Sequence, residues 1–227
     1  MVKTRIYIFS LIFLFAVQGS LSAYAFQGSE TSKTDKENPV VKKRQARVPT
    51  KQEIGSLEVF TELLDVIEST SDRKSILPKI EELYMKIITE YPKAPLAQES
   101  YWKLLTIYVE EYFPPAYDKA EKLYNDFLTG HPKSVLKKFL VETLGKSYYR
   151  NAMWDKLLGI SSPVFKEYTE TQKRTPASIL FMYSEANYKL GNVAEAEKGY
   201  EIVSEKFPKL VEGKKSKSML EKISKNR

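Results

Sequence analysis

Hydrophobic positions recur along this chain in paired blocks. Within residues 180–208, Leu180, Tyr183, Tyr188 and Leu190 mark a first amphipathic helix, and Ala196, Tyr200, Val203 and Phe207 mark a second, with Gly191-Asn192 between them. A helix commonly ends at a residue in left-handed conformation, which glycine adopts without steric penalty, so Gly191 predicts the turn of a helical hairpin. The second block has the spacing Ala196-x3-Tyr200-x7-Pro208. It returns as Ile80-x3-Tyr84-x7-Pro92, as Ala120-x3-Tyr124-x7-Pro132 and, more weakly, as Val164-x3-Tyr168-x7-Pro176. The recurrence predicts stacked helix pairs. A small or aliphatic residue lets two helices approach, an aromatic one turn later fills the gap to the next pair, and proline ends the helix by disfavouring α geometry in the residue before it.

This pattern resembles the tetratricopeptide repeat (TPR) family. The first half of that motif is clearest at Leu144-Gly145-x2-Tyr148 followed by Trp154, and the second half is the spacing above. The resemblance runs over roughly residues 54–210 and is to a 34-residue unit. It implies an all-α, right-handed TPR-like solenoid of about four antiparallel helix pairs with a C-terminal closing helix. The Tyr91-Pro92 and Phe207-Pro208 endings look most like the bacterial envelope branch of the family. That branch includes the TPR lipoprotein of the outer-membrane barrel assembly machine and the TPR domain of the Tol-Pal-associated periplasmic protein.

In chain order, Leu57, Phe60, Leu63, Leu64 and Ile67 predict a first helix ending at Ser69-Thr70-Ser71-Asp72. Its partner covers 80–91, with Pro78 near its start, where proline is tolerated. This pair lacks the Leu-Gly signature and reads as an atypical terminal unit. Pro95 opens the next helix, which runs to about Tyr112, and Pro114-Pro115 break the chain before a helix over 117–128. Pro92 and Pro132 are 40 residues apart, so a lengthened helix or loop is expected at 110–115. Residues 135–150 predict a helix, but Gly159 and Ser161-Ser162-Pro163 predict a break, giving helices over about 152–158 and 163–171. A regular last pair spans 176–208, and 211–223 form a basic closing helix.

Lys3 and Arg5 precede an apolar run over 6–17, then Gln18-Gly19-Ser20 and Ala23-Tyr24-Ala25. A positive start, a short apolar core and a small-x-small site describe a secretory signal peptide cleaved after Ala25; the alternative is a retained signal anchor. The predicted organisation is a signal peptide (1–25), a disordered basic leader (26–52), the repeat domain (53–210) and a basic C-terminal helix or tail (211–227). The chain has no cysteine, which departs from the lipoprotein pattern and leaves the fold to packing alone.

The net charge of +7 is unevenly placed: +2 in 1–25, +4 in 26–52, −4 in 53–213 and +5 in 214–227. The aromatics lie in the acidic middle and the bases in the ends, the opposite of a nucleic-acid face, where the two interleave. His131 is the single histidine, and metal sites or acid-base triads need further partners. Glu81-Glu82 and Glu110-Glu111 are neighbours along a helix and point in different directions, unlike a facing catalytic pair. No catalytic, metal or cofactor residue is assigned, and an enzyme is not expected.

Resemblance also implies a concave groove lined by the first helix of each pair. Its positions would be Trp102, Thr106 and Glu110, then Glu142, Lys146, Tyr149 and Arg150, then Phe181, Glu185, Tyr188 and Lys189. Such a groove would hold a peptide or helix of an envelope protein in a non-enzymatic scaffold, periplasmic or at the inner face of the outer membrane. Replacing Tyr149 and Arg150 together by alanine would then abolish capture of the partner while leaving helicity and melting unchanged. The alternative function is association of the basic tails with anionic lipid or cell-wall polymer. Signal cleavage predicts a mature chain that begins at Phe26, read by intact-mass spectrometry of the exported protein.

Overall fold

A computed structural model describes residues 47–225. Contacts divide the chain into Met1–Arg47 and Val48–Arg227. The expected signal peptide and nearly all of the expected leader lie outside the described residues. All regular structure among the described residues is helical: α1 (Lys51–Glu68), α2 (Arg73–Glu90), α3 (Pro95–Glu110), α4 (Tyr117–Gly130), α5 (Lys137–Arg150), α6 (Trp154–Thr171), α7 (Ala177–Lys189), α8 (Val193–Lys206) and α9 (Val211–Lys225).

The helix pairs are α1/α2, α3/α4, α5/α6 and α7/α8, with α9 closing the stack. Each odd helix packs its backbone close to the next odd helix, whereas successive even helices reach one another only through long side chains such as Lys119 to Glu81 and Lys156 to Glu121. The odd helices therefore form one continuous wall and the even helices splay apart behind it. The repeat positions explain the arrangement: Ile80, Ala120, Val164 and Ala196 are buried, as are Tyr84, Tyr124, Tyr168 and Tyr200. One core runs from Val59 in α1 to Ala186 in α7, and a second joins Phe165, Leu180, Tyr200 and Ile223 across α6 to α9. Helix α7 serves both cores and is buried nearly all round, which is why its apolar residues do not keep to one stripe.

Three turns between pairs are copies of one another. Tyr91, His131 and Phe207 each cap a helix at φ between −124° and −134° with the N–H still bonded to the fourth carbonyl back. Each is followed by Pro-Lys, and each carbonyl accepts from the N–H three residues on: Ala94, Ser134 and Leu210 at 2.9 to 3.0 Å. Proline is what forces these caps out of α geometry. The fourth copy differs. Helix α6 ends at Thr171 with Gln172 in the left-handed region at φ 53°, and Pro176 becomes the N-cap of α7.

Three expectations are corrected. Thr50 caps α1 through a capping box with Glu53, so the helix begins at Lys51, inside the span expected to be leader. Helix α2 begins at Arg73, which puts Pro78 inside it. Helix α6 is unbroken: Ser161 Oγ and Ser162 Oγ donate to the carbonyls of Leu157 and Leu158, each at 2.7 Å. Gly159 and Pro163 both lie on its exposed face, where water can meet the carbonyl that proline cannot satisfy. The length expected to make a break makes α6 longer instead, 18 residues against 14 in α4 and α8. At 110–115 the extra length is a loop, with Ala116 N–H returning to Tyr108 O at 2.8 Å.

Within pairs, Gly191 and Ala152 occupy equivalent left-handed positions at φ 82° and 55°. In both turns the next residue's N–H bonds five residues back, Asn192 to Asn187 and Met153 to Tyr148, each at 2.9 Å. Alanine has a Cβ penalty there that glycine lacks. Ala152→Gly should therefore stabilise the fold by ~0.5–1 kcal/mol and raise Tm by ~2–4 °C, and Gly191→Ala should lower it, both read by thermal unfolding.

Candidate functional site

The wall of odd helices positions the residues singled out as groove-lining. Its rungs between α3, α5 and α7 are polar contacts, two at each step. Trp102 Nε1 of α3 donates to Thr143 Oγ1 of α5 at 3.0 Å, and Arg150 Nη2 of α5 meets Glu110 of α3 at 3.1 Å. Ser178 Oγ of α7 donates to Glu142 of α5 at 2.8 Å, and Tyr149 Oη of α5 donates to Glu185 of α7 at 3.1 Å. At each step the earlier residue of one helix pairs with the earlier residue of the next and the later with the later, so α3, α5 and α7 run parallel.

The predicted positions fall into two groups. Trp102, Thr106 and Tyr188 are half-buried on the wall, Glu142 is half-buried beside Lys146, and Glu110, Lys146, Arg150 and Lys189 are exposed. Phe181 and Glu185 are buried, at 8% and 6% exposure. They are corrected from groove to interior: Phe181 lies in the second core with Ile223 of α9, and the Lys215 ammonium covers its ring. Glu185 Oε1 accepts from Tyr200 Oη at 2.5 Å while its other oxygen accepts from Tyr149. Burial and that carboxylate push Tyr149 up to about 12 and raise Tyr200 further. Tyr149 also meets Trp154 edge-on at 5.5 Å, so it is a structural side chain and replacing it by alanine would cost stability. Lys189 leans over Trp154 at the end of the wall.

Two exposed residues of the same surface were not foreseen. Phe139, 47% exposed on α5, packs against Trp102 at 5.4 Å, and Val135 beside it is 81% exposed. Lys103 covers the Trp102 ring at 4.9 Å. The wall thus has an aromatic end, Trp102 and Phe139, and a charged end, Glu110, Arg150 and Lys146. A period-3.6 reading from Glu142 and Lys146 back along α5 reaches Phe139, and that was the available signal.

Behind the wall, the repeats are joined by a polar latch that spacing of apolar residues does not show. Glu81 of α2 accepts from Tyr112 Oη at 2.8 Å and from Lys119 Nζ at 2.7 Å, with Tyr108 also against it. One repeat later, Glu121 of α4 accepts from Tyr148 Oη at 2.7 Å and Lys156 Nζ at 2.6 Å. At the third junction the glutamate position is Phe165, which stacks on Tyr183 at 3.9 Å and 12°. The neighbouring carboxylates do point apart: Glu82 pairs with Lys79, and Glu111 takes a two-pronged contact from Arg73. His131 packs on Phe127 and Tyr101 as part of its turn.

No family model matches this chain, and no curated relative matches it. Among solved structures it is similar to a tetratricopeptide repeat protein from Parabacteroides merdae, with a TM-score of 0.56 and 21% identity. The chain is an all-α, TPR-like solenoid. The match covers 76% of this chain and 61% of that one, so the TPR-like unit here spans less than two thirds of the length of its neighbour.

Partial burial opposes ionisation of Glu81 and Glu121, but the hydrogen bonds and charge of Lys119 and Lys156, with the tyrosines, outweigh it and hold both below the ordinary 4.5. A carboxylate depressed in the folded state contributes stability that is present above its unfolded value and lost as pH falls through the folded one. Stability should drop on acidification from about pH 5 to about pH 3. The Glu81→Gln, Glu121→Gln double variant should be less stable at neutral pH and lose less over that interval, as urea midpoints would show.

Proposed function

We propose that this protein is a non-enzymatic protein-interaction scaffold whose wall of odd helices holds a helix or peptide of a partner. The observation that carries the reading is the pairing of Trp102 with the exposed Phe139 at one end of the wall and Glu110, Arg150 and Lys146 at the other. Apolar anchors beside oriented charges supply affinity and register, respectively. Trp102 is held by Thr143, so its ring is already in place before a partner arrives, which lowers the entropy cost of docking. The amino-terminal pattern of Lys3, Arg5 and the apolar run over 6–17 supports export. The proposed setting is the bacterial envelope, periplasmic or at the outer membrane's inner face.

The test is site-specific photo-crosslinking in the native envelope. A crosslinker at Phe139 or Lys146 should trap one discrete partner. The same group at Lys166 or Glu170, exposed on α6 behind the wall, should trap none. Equal or absent crosslinking at the two sets would reject the wall as the binding surface, and Phe139→Ser should abolish the discrete adduct from the crosslinker at Lys146 while the helical signal in circular dichroism is retained.

A further inference from the structure

The two ends of the solenoid are complementary to each other. Helix α1 carries one basic and five acidic residues, and α9 carries five basic and two acidic. The buried face of α1 is set by Gly55, Val59 and Leu63, so its opposite face presents Ile54, Leu57, Asp65 and Glu68, with Glu58 at the edge. The two aliphatic side chains there are 47% and 42% exposed. The buried face of α9 is set by Gly213, Ser216 and Ile223, so its opposite face presents Val211, Lys214 and Lys225, flanked by Lys217 and Lys222. None of these lysines has an acid partner among the described residues, and Lys222 has only the Tyr188 ring beneath its ammonium, at 5.8 Å. Asp65 and Glu68 likewise enter none of those ion pairs.

The registers agree as well. Successive odd helices run parallel, and α1 and α9 are both odd. Placed side by side in that sense, Ile54, Asp65 and Glu68 have the same spacing as Val211, Lys222 and Lys225. We infer that a second copy of this chain docks its α1 onto α9, apolar end to apolar end and acids to lysines, continuing the row of odd helices from one molecule into the next. Such a contact joins two different surfaces, so each added copy presents a further site and association gives a concentration-dependent series of oligomers. Being built largely of exposed charges, it is weak and salt-sensitive.

Sedimentation velocity of the purified full chain tests this at low and high salt. Expected is a sedimentation coefficient that rises with protein concentration at about 50 mM salt and stays at the monomer value at about 500 mM. Lys214→Glu, Lys222→Glu, Lys225→Glu should be monomeric alone, as should Glu58→Lys, Asp65→Lys, Glu68→Lys. An equimolar mixture of the two should associate again, because each supplies the charge the other has lost. A monomer at every concentration, association insensitive to salt, or association removed by the α9 reversal but untouched by the α1 reversal would each overturn the inference. So would failure of the mixture to associate. These outcomes are independent of the crosslinking at Phe139.

Discussion

No helix pair in this protein can bury its own apolar face, and the rest of the structure follows from that. The close approach at Ile80, Ala120, Val164 and Ala196, each under 2% exposed, brings a tyrosine one turn later against the following pair. Such a ring is useful only if the following pair exists. Stability is thus a property of junctions between neighbours more than of individual hairpins, as expected of a stack in which each unit contacts only the next. Helix α7 shows the consequence: packed by α5, α6, α8 and α9, it has to be buried on nearly every side. Even its polar residues are satisfied there, Ser184 by Leu180 O, Asn187 by Tyr183 O and Glu185 by two tyrosines.

The latches at Glu81 and Glu121 qualify this picture of apolar stacking. Each takes hydroxyl and ammonium donors from the next pair, so the same junction that is sealed by a tyrosine ring is also fixed in register by charge. Where Phe165 stands in the glutamate's place, ring stacking on Tyr183 replaces the latch, and the core divides there into its two parts. The third junction keeps its carboxylates on the wall side, where Glu142 and Glu185 accept from Ser178 and Tyr149.

Much of the architecture was legible in the sequence because it is written in periodic apolar positions and turn residues. The spacing from small residue to tyrosine to proline located three of the four inter-pair turns, and Gly191 located a turn within a pair. The misreadings have local causes. Pro163 reads as a break, yet neighbouring serine hydroxyls and an exposed Gly159 carbonyl let α6 pass through it. Ala152 gives no hint that it adopts the conformation of Gly191, since its turn is imposed by the hydrogen bonds of Asn151 and Met153. Phe181 and Glu185 carry the same spacing as true wall residues, and what removes them is burial by neighbouring helices, which no one-dimensional period contains. The latches escaped notice because they join polar residues roughly 30 to 40 positions apart.

The wall and the ends differ in a way that bears on what each can do. On the wall, exposed charges are largely answered within the molecule, Arg150 by Glu110 and Lys146 by Glu142. Under the proposed function a partner docking there would exchange existing pairs and so gain orientation more than affinity from them, which would leave Phe139 and Trp102 as the source of binding energy. At the ends Lys214, Lys217, Lys222 and Lys225 of α9 and Glu58, Asp65 and Glu68 of α1 enter no ion pair among the described residues, so an incoming opposite charge has no existing ion pair to displace. The wall is therefore suited to one shaped apolar ligand, and the ends to loose, screened association that can be made and broken without disturbing it.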